Sequence, residues 1–412
     1  MVRSILKKFV KDGNRLTPIV FYLLKLKSSK LHNWRLLRTM WLDEHPGKKS
    51  GILRKGYQCA SVGPKFINVT DNDVDIPASR STVLLPDIFY REFAEAVIAI
   101  DSSSLVIDNT LLIERAGRGD QSDFDYSAGH IVSHGQKQAV VRMGETRSIE
   151  QGLFLGGNGV ANYYHWLMEI MPRCEFFAAL PKEYDDFPII VSDSAAKWGA
   201  FKEILDRLVT DREIIYVDPA ASYKVERLVY IDTQNTIPFN LHSGSRFDCN
   251  HSLFFAETFS YLRSKMLTAA DSVSANNPER IFLCRKGVLR DYNQTEIIDF
   301  LRALDFVPIY LDDHALAKQV EMVSQAKWIV GPTGAAWANL LFAFPKAKCL
   351  CWMAEELGDF SVYSNMATLV QADLYYLTYQ SGGKTAGEHY RNTYSIDIPQ
   401  IKRALNKMGL AL

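Results

Sequence analysis

A chain of 412 residues that is 47% hydrophobic and 23% charged has enough apolar material for two domains with sizeable cores and too much for extended disorder. Its formal net charge of zero gives no global attraction to polyanions, so no nucleic-acid partner is expected. Cysteines stand at 59, 174, 249, 284, 349 and 351 with no CxxC pair and no His/Cys cluster at zinc spacing, which reads as thiols of a reducing compartment and predicts no metal site among them.

Charge is nevertheless uneven along the chain. From Met1 to Trp41 there are ten cations (Arg3, Lys7, Lys8, Lys11, Arg15, Lys25, Lys27, Lys30, Arg35, Arg38) against one acid, Asp12, interleaved with apolar residues and two Trp. Residues 1–50 therefore read as a basic amphipathic helical N-terminal arm, with residues 1–41 able to lie on an anionic membrane surface, to pack on the protein body or, ranked last, to hold nucleic acid. No run of about 18 uncharged apolar residues occurs, and the start lacks a secretory cleavage pattern. The expected address is the cytoplasm, with the inner face of the membrane as the alternative.

Between Gly51 and Val141 short apolar runs at Ser81–Pro86, Ala96–Ile100, Leu105–Ile107 and Leu111–Ile113, broken by Pro, Gly and Asp, predict strands of a mixed sheet. The acidic pairs Asp71/Asp73, Asp73/Asp75 and Asp123/Asp125 imitate an Asp-x-Asp metal motif, but each sits in a polar loop and reads as solvated acid. The segment 153–173 is more informative: a Gly-rich turn at 156–159 leads to Asn162, a predicted helix cap, and then to His165 and Glu169, four apart on one helical face. Imidazole takes a proton near neutral pH and a carboxylate can orient or assist it, so either is a candidate general base. The bland alternative is a core histidine beside Trp166. Strands at Phe187–Val191, Glu213–Val217 and Arg227–Ile231, with helices at Lys197–Val209 and Phe254–Leu267, predict a parallel sheet with crossover connections. The polar stretch Asp271–Pro278 is the expected hinge, dividing residues 51–270 from 271–412.

Beyond the hinge, strands at Ile281–Cys284, Phe306–Tyr310, Lys327–Val330 and Lys348–Trp352 alternate with helices at Gln294–Leu304 and Leu316–Ala326, a doubly wound pattern in which ligands sit at the carboxyl ends of strands. The third strand stops at Gly331-Pro332-Thr333-Gly334-Ala335, and small then apolar residues resume at helical spacing. Such a turn points backbone N–H groups and a helix dipole at an anion, most often a phosphate. Arg285 and Arg290 lie at or just past a neighbouring strand end, so two cations and a helix N-terminus can converge on one diphosphate. Glu355, just past the last of these strands, is a candidate for a ribose or sugar hydroxyl.

Together, Asn162-Tyr163-Tyr164-His165-Trp166, then Arg285, Arg290 and Asn293, then Gln319, then Gly331-Pro332-Thr333-Gly334-Ala335 and Asn339, resemble glycosyltransferase family 61, particularly its bacterial capsular-polysaccharide members, over roughly residues 150 to 355. The resemblance implies a GT-B fold, two Rossmann-like α/β domains facing a central cleft. The acceptor would lie on the N-terminal side with Asn162, Tyr164 and Trp166, and a nucleotide-sugar donor in the C-terminal domain. It further implies anomeric inversion without an obligatory metal or other cofactor, acting on a glycan or lipid-linked glycan acceptor. Where many members carry His in the turn, this chain has Thr333, which can supply only a hydroxyl. Asn339 and Gln319 read as holding the turn or the sugar. Two rival functions share these features: a nucleotide-sugar epimerase of GT-B architecture, and a sugar-binding or assembly protein without catalysis.

Overall fold

The computed structural model describes residues 8–11, 16–68, 76–117, 122–238, 240–242, 244–267, 277–287, 290–383, 386–389 and 391–411. The acidic pairs Asp71/Asp73 and Asp73/Asp75, and most of the expected hinge, fall outside them. Two compact units emerge, Met1–Tyr57 with Pro86–Asn240, and Gln58–Leu85 with Leu241–Leu412. The chain therefore crosses between units three times, and residues 58–85 belong with the C-terminal unit instead of the expected 51–270 domain.

The first unit is built on one large sheet. Four of its strands, Thr146–Leu155, Ile189–Ser192, Ile214–Val217 and Ser222–Ile231, are mutually parallel and, numbered in chain order, lie side by side as 3-2-1-4. Their runs of Val, Ile and Leu suit strands covered on both faces, and Leu153, Phe154, Leu155 and Ile189 to Val191 are buried. The strand Ile88–Ile98 pairs antiparallel with Ser222–Ile231 and carries the sheet onward into the short strands Leu105–Ile107, Thr110–Ile113, Ile131–His134 and Gln138–Arg142. The acids Asp123 and Asp125 precede this last part, where the Asp125 carboxylate accepts a bond from the Ser127 amide.

The N-terminal segment departs from the expected helical arm. Only Thr17–Lys27 and a fragment at 8–11 are α-helical among its described residues, while Trp34–Trp41 is a strand inside the large sheet. That strand pairs antiparallel with Gln138–Arg142 and parallel with Thr110–Ile113. Val10 and Phe21 pack with Val132 and Val140, so this part of the chain is an integral layer of the first unit.

In the second unit five strands, Arg280–Leu283, Val307–Ile309, Trp328–Pro332, Lys348–Ala354 and Asp373–Tyr379, form an entirely parallel sheet stacked 2-1-3-4-5 in chain order. The crossovers are Gln294–Arg302, Leu316–Gln325, the 3-10 helix Ala335–Phe342 and Val362–Val370. Cys349 and Cys351 are both fully buried on one face of the fourth strand, and burial raises both thiols. Both units thus carry the parallel sheet expected of a Rossmann-like layer.

Candidate active site

In an open parallel sheet, a crevice forms where the strand order reverses, because the connections on either side leave in opposite directions. The first unit reverses between Thr146–Leu155 and Ser222–Ile231, and the Gly-rich turn leaves the first of these strands directly. Gly159 has φ of +77°, and a Cβ there would sit 2.6 Å from the His165 ring, so both backbone and imidazole demand glycine. Asn162 caps the next helix by accepting from the Tyr164 amide at 2.9 Å.

After one α turn, Tyr163–His165, the backbone widens into a π-helix over Trp166–Ile170. Single π turns frequently mark functional positions, and this one holds Glu169 against His165 Nδ1. The second Glu169 oxygen accepts the Ile237 amide at 3.0 Å, from the segment that follows the strand across the switch point. Both side chains are 12% exposed. A carboxylate accepting from Nδ1–H selects the tautomer whose lone pair is on Nε2, the form of a general base.

Of the residues expected on the acceptor side, Asn162 is exposed but Trp166 is fully buried, its ring stacked on Phe201 and its indole N–H donating to the Phe201 carbonyl. Trp166 therefore fills the core and does not meet an acceptor. Tyr164 is also buried, edge-on to His165.

Sequence reasoning missed the polar network behind this pair. Arg173, 1% exposed, donates to the carbonyls of Gly156 and Ile231 and to Thr233, bracing both strand ends at the switch point. Glu114 accepts from Thr233 and Tyr230. Its signal lies in pairings across more than a hundred residues of chain. A cavity of about 330 Å³ opens beside it, lined by Asp43, Arg91, Arg115 and Asp232 among others. A smaller adjoining one shares Glu114, Arg115, Thr233 and Thr236 and reaches Glu169. Burial, opposed by Arg91, pushes the Asp232 carboxyl up to about 7.

The second unit reverses between Arg280–Leu283 and Trp328–Pro332, where Arg285 and the Gly-Pro-Thr-Gly turn sit. The Arg285 backbone is clasped by the Gln294 side chain, whose amide oxygen accepts the Arg285 N–H at 2.7 Å and whose NH2 donates to the Arg285 carbonyl at 3.1 Å. The Arg285 guanidinium donates to the carbonyls of Arg290 and Thr333, and Arg290 donates to the same Thr333 carbonyl at 3.3 Å. Burial first, then the charge of Arg290, lowers the Arg285 guanidinium, so an anion placed here relieves both costs. A Cβ on Gly334 would lie 3.1 Å from the Arg285 guanidinium, so any side chain there would crowd the cations.

Two expectations for the turn change. The Thr333 amide donates to Trp352 O at 3.0 Å and its carbonyl accepts both arginines, so its backbone orients cations and does not itself donate to a ligand. The anion donors left at this turn are the Gly334 and Ala335 amides, at the start of the 3-10 helix.

The other residues expected on the donor side make contacts within the protein. Asn293 exchanges hydrogen bonds with the backbone of Ile396 and donates to Glu296. Gln319, 3% exposed, donates to His314 O, and buried Asn339 donates to Ala336 O. Gly331 packs against Leu283, where a Cβ would come within 2.9 Å. Glu355 bonds Gln380. Its neighbour Glu356 is the better-held carboxylate, accepting from Ser381 N and Oγ and from Gly382 N, and these bonds outweigh burial to hold it below its ordinary value.

The family model for Glycosyltransferase 61 matches residues 163–350. The resemblance read from the motifs is borne out. The match covers somewhat under half of the chain and supports a glycosyltransferase similar to family 61. The stretch matched to the family contains His165, Glu169, Arg285, Arg290 and the Thr333 turn, while Glu355 and Glu356 lie just past it. No curated protein matches the chain. Among solved structures, the dodecameric iron-containing heptosyltransferase TibC in complex with ADP-D-beta-D-heptose is similar at 12% identity over 77% of each chain, with a TM-score of 0.25.

Proposed function

We propose that this chain is an inverting, metal-independent family 61 glycosyltransferase of GT-B type. It moves a sugar from a nucleotide-sugar donor to a hydroxyl of a glycan or lipid-linked glycan, in capsular or other cell-surface polysaccharide synthesis on the cytoplasmic side of the membrane. The observation that carries this reading is complementary chemistry at two switch points, a carboxylate-oriented histidine in one unit and an arginine pair in the other.

In the proposed reaction His165 Nε2 takes the proton of the acceptor hydroxyl, and Glu169 holds the ring and meets the imidazolium charge. The acceptor oxygen forms its bond to the anomeric carbon from the face opposite the diphosphate. The bond from that carbon to the phosphate oxygen breaks, and the nucleoside diphosphate leaves with its electron pair. Arg285, Arg290 and the Gly334 and Ala335 amides take up the charge that develops on it, a role in which fixed donors are worth most. The acceptor is assigned to the cavity beside Glu169, whose carboxylates and arginines suit hydroxyl groups. Glu356 is assigned to a donor hydroxyl.

The test is incubation of the full chain with a panel of nucleotide sugars and glycan acceptors in EDTA, with product configuration read by NMR. Transfer with inversion is expected. Retention, a requirement for added Mn²⁺, or conversion of the nucleotide sugar without acceptor would each replace the reading, the last by an epimerase.

A further inference from the structure

The helix Thr17–Lys27 is apolar on two sides, and only one of them is covered. Phe21 is buried against Val10, Val132 and Val140, with Leu24 packed on the same cluster. Leu16, Ile19, Tyr22, Leu23 and Leu26 point away from it, each more than half exposed and Leu26 85% exposed. At 100° per residue these five positions occupy one continuous arc of about 120°. A helix that is hydrophobic all round is ordinarily buried all round, so this face is made for a further contact.

The charge around it identifies the occupant. Described residues 8–11 and 16–41 contain no acid. Lys25 donates to the Trp34 carbonyl at 3.0 Å and lies near Arg35, and Lys30 follows in the next turn, so cations gather at the end of the helix. Lys8, Lys11, Lys30, Arg35 and Arg38 are exposed. An apolar stripe flanked by cations is matched by a surface that offers hydrocarbon below a plane of phosphates. The helix has 11 residues, and none of the described helices is long and apolar enough to cross a membrane. Its contact is therefore with one leaflet.

We propose that the outward face of Thr17–Lys27 docks this protein on an anionic bilayer, with Ile19, Leu23 and Leu26 entering the headgroup boundary and Lys30 and Arg35 meeting lipid phosphates. The strand Trp34–Trp41, which sequence alone assigned to the same basic arm, is excluded from the insertion because its backbone is held in the sheet.

The experiment is flotation of the full chain with vesicles of phosphatidylcholine alone or with 30% phosphatidylglycerol, at low and high salt. The expected result is binding to the anionic vesicles only, falling at least tenfold in 0.5 M NaCl and at least tenfold in the triple variant Ile19→Asp/Leu23→Asp/Leu26→Asp. All three positions are exposed, and an unchanged melting temperature of the triple variant confirms its fold. Lys30→Glu/Arg35→Glu supplies a second, less drastic loss. The proposal is overturned if the native chain stays unbound, if the triple variant floats as well as the native chain, or if sedimentation shows a dimer that the triple variant converts to monomer. In that last case a second copy is the occupant. Nucleoside diphosphate binding by the triple variant is expected to be unchanged, so loss of docking and loss of the enzymatic reading are separately visible.

Discussion

The two parallel sheets solve the same geometric problem with different chemistry. The four parallel strands of the first and the five of the second each reverse their order once and place a turn and a helix start at the reversal. In the first unit the turn presents an imidazole whose partner is a carboxylate, which the proposed reaction uses to move a proton. In the second the turn presents a carbonyl that gathers two guanidinium groups, which the proposed reaction uses to hold an anion. Topology thus specifies where a ligand goes, and the side chains a few residues past the strand decide what it is.

The largest effect expected is from His165→Ala, which should lower kcat by about 10³-fold. Affinity for nucleoside diphosphate should stay unchanged, and equal losses in both would break the division of labour between units. Arg285→Ala should lower kcat/KM by about 10²-fold and weaken nucleoside diphosphate binding in calorimetry. A loss confined to the acceptor KM would instead place Arg285 on the wrong side. Gly159→Ala forces a side chain onto a positive φ and into the His165 ring. It should reduce kcat by about 10- to 100-fold through misplacement of the base, with circular dichroism unchanged.

A different readout, stability, separates the units. His130 of the first unit is buried and desolvation lowers its pKa to about 4 from the ordinary 6.5. The neutral ring's contribution is fully present above pH 6.5 and is lost as pH falls toward 4, because the unfolded chain takes up the proton first. Over that window the first unit should lose about 3 kcal/mol, seen as an acid-sensitive melting transition that His130→Leu flattens. If the acid-sensitive transition persists unchanged in that variant, other groups carry it.

What was legible in the sequence follows the range of the interactions. The strand at 189–192 announces itself because a strand covered on both faces needs an unbroken apolar run, and those at 214–217 and 280–283 are short apolar runs that each follow a helical segment. The 165/169 pair was legible because four residues make one helical turn. The strand Trp34–Trp41 was not, since Arg35 and Arg38 sit three apart beside Leu36 and Leu37, the local pattern of an amphipathic helix. What decides it is pairing with 138–142 and 110–113, a hundred or so and seventy or so residues on. The Thr333 amide was expected to face a ligand, and only the neighbouring strand end at Trp352 shows why it does not. Trp166 shared a motif with His165, yet the π turn directs it to Phe201. Arg173 and Glu114 gave no local signal at all, because a buried charge is recognisable only by its distant partners.

The central claim is that the arginine pair of the second unit, and not the histidine of the first, holds the diphosphate. Calorimetric titration of UDP, GDP, ADP and dTDP into the native chain, His165→Ala and Arg285→Ala tests it directly. At least one of the four should bind the native chain and His165→Ala with equal affinity and Arg285→Ala at least tenfold more weakly. Equal binding to all three proteins, or a loss in His165→Ala as large as in Arg285→Ala, would contradict it.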